Sequence, residues 1–234
     1  MIIGTGNIGT WLFKMFQNQN NIEINLFSSR NIETLSANFD LYIFALKDDI
    51  YEDVLRQIPF KMSHAVHTSG SLSQNILAPY SEKFGVLYPY QSITNNALQI
   101  MNFRVPICVE GSDLFFEDLL FKLASSVFSM VHKINESQRF AMHLAAVFAN
   151  NFTNAMYCIA YQIFKENDLD WSLIFPLLEN TLEKVKHDAP YLVQTGPAVR
   201  NDISIMNKHC KALKDEDLKS LYRMISNIIS KSFS

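Results

Sequence analysis

Two textures divide the chain. Up to about residue 133, short apolar runs alternate with stretches whose apolar residues recur every three or four positions; beyond it only the second pattern persists. The short runs predict strands at Met1–Ile3, Ile22–Phe27, Leu41–Leu46, Ala65–Thr68, Gly85–Leu87, Val105–Val109 and Met130–Lys133. The longer spacing predicts helices at Ile8–Phe16, Ile32–Asn38, Ile50–Ile58 and Leu114–Phe128. Strands alternating with helices imply an α/β fold, a mainly parallel sheet covered on both faces. The first strand is short, a stub before the first glycine.

From residue 134 the pattern is helical throughout. The segment NESQRFAMHLAAVFANNFTNAMYCIAYQIFKEN reads as one long helix, with Asn135 capping its first turn and Gln138 reaching back three residues on. About 30 helical residues would span roughly 45 Å. This helix is apolar almost all round, so neighbouring helices or a second subunit should bury it, and a homodimer is expected. A further helix should begin near Pro176, tolerated at a first helical position. A last one follows Asp215, with Leu218, Tyr222, Ile225 and Ile229 on one stripe. The expected domains are therefore 1–133 and 134–234, the second all-helical, joined without a Pro/Gly-rich linker.

Composition narrows the function classes. The 234 residues are 48% hydrophobic and 18% charged, with 20 basic against 23 acidic residues. That is ordinary for a globular protein with a sizeable core. No basic block points to nucleic acid, and no run of about 18 apolar residues points to a membrane. Cys108, Cys158 and Cys210 are far apart and odd in number, which fits a reducing cytoplasm and neither disulfides nor a metal site.

The chemistry starts at Gly4-Thr5-Gly6-Asn7-Ile8-Gly9. A GxGxxG pattern is weak by itself, but here a strand precedes it, a helix follows and a second strand comes next. In such a turn Gly4 allows the bend, Gly6 lets backbone approach a pyrophosphate, and Gly9 permits close helix–strand packing. The amides of Asn7 and Ile8 then open a helix whose dipole favours phosphate. This predicts a Rossmann-type dinucleotide site; the bland alternative is a glycine turn that binds nothing. The second strand ends in Ser28, Ser29 and Arg30, where an NAD site carries an acid. Hydroxyls and a guanidinium suit a 2′-phosphate, so NADP is the expected cofactor, with NAD as the alternative.

Other strand tips should face the same edge. Ala45, Leu46 and Lys47 would border the cofactor, although Lys47 can equally be a solvated charge. Asp48 is read as the cap of the next helix. Ser69 and Gly70 in HTSGS and Gln91 in YPYQS are candidate substrate-binding groups, with plain turn chemistry as the alternative. His67 is read as a buried, satisfied imidazole. In the long helix His143, Asn150 and Asn154 follow at i, i+7 and i+11 and so share a face, with Asn151 beside it. His143 is the candidate proton donor, with Asn151 and Arg200 as catalytic candidates and Asn154 as a substrate contact; a core histidine is the alternative. In TGPAVRND, Gly196-Pro197 makes a turn and Asp202 is a helix cap, while Arg200 is free to hold a carboxylate, a phosphate or a structural partner.

The segments IIGTGNIGT, FALKDD, HTSGS, GVLYPYQSIT, PICVEGSD, HLAAVFANNFTNAMY and TGPAVRND together resemble a family of Rossmann-like oxidoreductases whose helical C-terminal half is a domain of unknown function. The chain is more broadly similar to pyrroline-5-carboxylate reductase, 6-phosphogluconate dehydrogenase and ketopantoate reductase. The resemblance implies an NAD(P)-binding domain, a helical domain that often dimerises and a small substrate in the cleft between them. It carries Gly4, Gly6 and Gly9 to the cofactor loop, and His143, Asn151, Thr195, Gly196, Pro197, Arg200 and Asp202 to the helical signature. The lysine of several related dehydrogenases has no counterpart in MHLAAVFANN, where His143 stands nearby. The expectation is hydride transfer between NADP(H) and a small C=O or C=N substrate. A non-catalytic dinucleotide sensor or partner-binding dimer is the rival, and a deazaflavin enzyme a third option.

Overall fold

The computed structural model describes residues 1–94 and 104–232. Two compact units divide the chain, Met1–Met156 and Tyr157–Ser234.

The first unit carries seven strands: β1 (Ile2–Ile3), β2 (Leu26–Phe27), β3 (Tyr42–Phe44), β4 (Met62–His67), β5 (Ser81–Pro89), β6 (Ile107–Gly111) and β7 (Val131–Lys133). They form one sheet in the order β2-β1-β3-β4-β5-β6-β7. Every pair is parallel except β5 with β6. Helices α1 (Asn7–Phe16), α2 (Tyr51–Arg56) and α3 (Leu114–Ser125) lie between strands in sequence.

Alternation along the strands builds a core on each face. Ile2 and Ile43 point into a cluster with Trp11, Leu12, Phe16 and Phe116. Ile3, Tyr42 and Phe44 point the other way, into a cluster with Tyr51 and Leu55. Each fully buried aliphatic or aromatic side chain contributes about 1.5–3 kcal/mol. Trp11 stacks on Phe128 at 5.4 Å, which ties α1 to the segment that follows α3.

Two predicted elements differ. β2 covers only Leu26–Phe27, and 22–25 lie outside the ladder, because β1 offers only Ile2 and Ile3 as pairing partners. The helix expected at Ile32–Asn38 is a tighter 3₁₀ segment, Ser29–Thr34. Asn31, Ile32 and Thr34 are poor helix formers, and Asn31 leaves helical geometry at φ −117°.

Asn135 and Gln138 form the predicted capping box at the start of α4 (Glu136–Ala146). A π turn (Val147–Phe152) follows, then α5 (Thr153–Glu166). The second unit adds α6 (Phe175–His187), with Pro176 in its first turn, α7 (Ile203–Ala212) and α8 (Glu216–Ser232). Trp171 is its aromatic hub, edge-on to Tyr161, Phe164 and Phe175. His209 and Tyr222 join α7 to α8 through a 2.8 Å hydrogen bond.

The expected burial of the long helix does not occur within one chain. Phe140, Leu144, Phe148 and Phe152 recur every four residues and are all exposed.

Candidate functional site

The glycine turn lies at the carboxyl end of β1. Gly4 sits at φ +117°, a region that side chains disfavour, and a Cβ there would overlap the Ala45 carbonyl oxygen. A Cβ on Gly9 would overlap the Gly4 carbonyl, so the start of α1 can seat only with glycine there. Gly6 is different: a Cβ on it would meet nothing within 4 Å. It is the N-terminal residue before α1, with no side-chain cap and no acidic residue in the first turn. The first amides of a helix have no partner within the helix. The turn therefore offers uncapped donors, the positive end of a helix and open space, which together fit a pyrophosphate.

The neighbouring tips are tied to this turn. The Tyr51 hydroxyl donates to the Phe44 carbonyl at 2.8 Å and accepts from the Leu46 amide at 3.4 Å, fixing the end of β3. Ala45 is buried against Gly4, Leu46 is half-buried and Lys47 is exposed. Ser28 caps the 3₁₀ segment by accepting from the Arg30 amide at 3.4 Å. Ser29 is half-buried and the Arg30 side chain is exposed at the end of β2.

A second knot gathers after β4. Asp48 does not cap the next helix as the sequence suggested. Its carboxylate accepts from Ser69 Oγ at 3.0 Å and from Ser71 Oγ. Ser69 Oγ also accepts from the Ser71 and Leu72 amides, so this hydroxyl is consumed by the turn. Gly70 has another use. A Cβ there would lie 2.6 Å from His143 Nδ1 and 2.9 Å from Tyr88 Cζ. Its bareness lets the α4 imidazole reach the tip of β5, where Tyr88 Oη and His143 Nδ1 are 3.1 Å apart. Burial pushes the Tyr88 hydroxyl up to about 12.

Behind this knot lies a buried ion pair. Arg139, 1% exposed, bonds Glu110 on β6 and donates to the Leu72 carbonyl at 2.7 Å. Glu110 also accepts from the Glu136 amide at 3.0 Å, so one carboxylate holds both the first turn of α4 and its arginine. His67 is fully buried but only half satisfied. Its Nδ1 accepts from the Ser69 amide at 3.2 Å, while Nε2 has no hydrogen-bond partner of good geometry among the described residues. Burial first, and the Arg139 cation second, hold its pKa down to about 4.

The structure brings together Gly4, Gly6, Asn7, Ile8, Gly9, Ala45 and Leu46 around one turn, and Ser69, Gly70 and His143 around another. Within the first unit, Gln91, Asn151 and Asn154 have no hydrogen bond to either turn among those described. Gln91 is exposed and its side chain accepts from the next amide, Ser92. Asn150, Asn151 and Asn154 are exposed, because the π turn interrupts the regular spacing that would align them with His143. Arg200 is exposed in the second unit, where Asp202 caps α7 by accepting from the Ile205 amide at 3.1 Å. Tyr88, Arg139 and Glu110 escaped the sequence reading; only the YPYQS tip hinted at the first.

A cavity of about 410 Å³ opens at the other, amino-terminal end of the strands, lined by Met1, Phe16, Ile24, Leu41, His64 and Leu123 among others. Ligands of open α/β sheets sit outside the carboxyl ends, so its size gives it no claim on a cofactor. No group of three metal-ligating side chains occurs among the described residues, and none of their helices is long and apolar enough to cross a membrane.

A bare-glycine turn at the carboxyl end of β1, in a mainly parallel sheet with helices between its strands in sequence, defines a Rossmann-type α/β protein. Residues 105–229 match the model of the domain of unknown function DUF2520, and the chain belongs to that family. No curated protein matches it. Among solved structures it is similar to a putative NADP oxidoreductase from Bacteroides fragilis, at 27% identity and TM-score 0.88, covering 98% of this chain and 96% of that one. A protein from Thermotoga maritima shares the fold at 22% identity and TM-score 0.71, with 99% and 98% covered. An imine reductase from Myxococcus stipitatus in complex with NADP+ shares it at 12% identity and TM-score 0.62, with 99% and 91% covered.

Proposed function

We propose that this protein is an NADP(H)-dependent reductase of a small C=O or C=N compound, with NAD(H) as the weaker cofactor. One observation carries the reading: the Gly4–Gly9 turn presents uncapped helix amides to open space at Gly6. The name of the Bacteroides relative supports the redox class. When bound, the reduced nicotinamide supplies the hydride.

The chain's residues do the rest. The amides of Asn7, Ile8 and Gly9 hold the pyrophosphate. Arg30, with Ser28 and Ser29, grips a 2′-phosphate and favours NADP over NAD. Ala45 and Leu46 wall the cofactor, and Lys47 adds positive charge at its edge. His143 holds the proton that the substrate heteroatom takes up, and Gly70 leaves room for it. Ser69 acts by shaping the turn, and Asn151, Asn154, Gln91 and Arg200 remain candidates for substrate contact. The exposed stripe Phe140, Leu144, Phe148 and Phe152 favours a homodimer. A reducing, cytoplasmic setting belongs to the same reading, as Cys108, Cys158 and Cys210 are all free thiols.

The test is NADPH oxidation with a panel of 2-ketoacids and cyclic imines. Turnover of one class, reduced roughly a hundredfold in His143→Gln, is the expected result. Saturable NADPH binding with no turnover across the panel, and a His143→Gln protein altered only in stability, would leave a dinucleotide sensor instead.

A further inference from the structure

Tyr88 contributes one of the buried polar groups beside the glycine-lined tips of β4 and β5 to which the sequence reading gave no role. It is packed with Val86 and Cys108, against Tyr90, Ile134 and Met142. Among the described residues its hydroxyl has a single hydrogen-bond partner, His143 Nδ1 at 3.1 Å. Tyrosine is 7% exposed at this position, whereas His143 is half-buried. The ring nitrogen that meets Tyr88 is thus the inward one, and Nε2, on the opposite side of the imidazole, is the outward one.

We propose that Tyr88 is a positioning residue that donates its hydroxyl hydrogen to His143 Nδ1, so that the neutral imidazole carries its own hydrogen on Nε2, facing away from the sheet. A buried hydroxyl with one available acceptor uses it, since an unmade hydrogen bond costs about 1–3 kcal/mol. Burial also holds the phenol protonated, with its pKa up to about 12, so Tyr88 keeps its hydrogen at working pH. A hydroxyl serves both charge states of the ring: it donates to Nδ1 of the imidazole and accepts from Nδ1–H of the imidazolium. The orientation of Nε2 therefore survives protonation.

The inference rests on the reductase reading for its use. In that reaction the C=O or C=N carbon gains a hydride from the reduced nicotinamide, the π pair moves to the heteroatom, and the heteroatom takes the Nε2 proton of the imidazolium. The nicotinamide is left oxidised and the imidazole neutral with its remaining hydrogen on Nδ1, donated to the Tyr88 oxygen, and proton exchange with solvent returns the ring to the Nε2–H form. Tyr88 neither gains nor loses a proton over the step. Gly70 belongs to the same device, because a Cβ there would press into both rings.

The test reads the tautomer directly and needs neither cofactor nor substrate. Protein labelled with ¹⁵N-histidine is examined by NMR above the ordinary titration range of histidine, with His143→Gln identifying the His143 signals. The expected spectrum has a bare Nδ1 and a protonated Nε2, and Tyr88→Phe moves both signals toward the mixture of a free imidazole. A protonated Nδ1 in the wild-type protein, or a spectrum unchanged by Tyr88→Phe, overturns the proposal; the wild-type result decides even if the variant does not fold. NADPH oxidation with 2-methyl-1-pyrroline adds a second readout: kcat falls roughly tenfold or more in Tyr88→Phe while KM and NADPH affinity stay within about twofold. Equal kcat in both proteins removes the positioning role. Failure of NADPH to bind at all would count against the reductase reading and leave the tautomer result standing.

Discussion

The two compact units spend their apolar residues differently. In the first, Ile2 and Ile3 of β1, Phe44 of β3 and Leu12 of α1 are all 0% exposed. In the second, Ala198 and Cys210 are the buried apolar residues among those described, while Leu173, Leu177, Leu182, Leu192 and Met224 stand exposed. The sheet unit closes its core with its own residues. The helical unit leaves its larger apolar side chains exposed, and within the first unit α4 and its π turn do the same, with Phe148 63% exposed. An exposed helix stripe of this kind supports the homodimer proposed above. Of the catalytic candidates, His143 in the first unit is hydrogen-bonded and half-buried, whereas Asn151 in the first unit and Arg200 in the second are exposed.

Four perturbations sharpen this contrast. The largest effect is expected from Phe16→Ala, which empties a fully buried site and should cost about 3–5 kcal/mol in urea unfolding. Phe148→Ala should leave the dilute protein within about 0.5 kcal/mol of wild type, yet weaken any self-association seen by sedimentation. Equal losses for the two would erase the contrast. Next, Arg139→Met leaves Glu110 buried without its cation and should cost about 3–5 kcal/mol, with Glu110→Gln in the same chain recovering part of it. A chain indifferent to Arg139→Met would mean that α4 is held by apolar packing alone.

The third perturbation is acid. The folded pKa of His67 lies at about 4, below the ordinary histidine value of about 6.5, so the unfolded chain binds more protons between those limits. Stability from this group is complete above the ordinary value and is lost as pH falls toward 4, by about 3 kcal/mol in total. His67→Gln should flatten that part of the profile. The smallest effect belongs to Glu52→Ala, which removes an exposed i,i+4 pair with Arg56 on α2 and should change stability by less than about 0.5 kcal/mol.

Local signals were legible in the sequence and distant ones were not. The glycine turn, the Asn135 capping box, Pro176 in the first turn of α6 and the Asp202 cap all depend on residues within a few positions. Each strand in the ladder answers to an apolar run, although β2 shrank because its partner strand is only two residues long. The misreadings depend on distance along the chain. Asp48 resembled a cap because its serine partners lie 21 and 23 residues on. Tyr88 meets His143 across 55 residues, and Arg139 meets Glu110 across 29, so neither pair leaves a periodicity to read. The asparagines after His143 fit one face only on a regular helix, and the π turn is a local departure that spacing does not announce.

The central claim is that the bare turn after β1 holds the pyrophosphate of NADP(H). Titration of the purified protein with NADPH and with NADH, followed by nicotinamide fluorescence, tests it most directly. The account predicts saturation by both, tighter for NADPH, with the NADPH advantage lost in Arg30→Ala and all binding lost in Gly6→Val, whose side chain fills the open space while the fold persists. Saturation by neither nucleotide, or undiminished binding by a folded Gly6→Val protein, would contradict it.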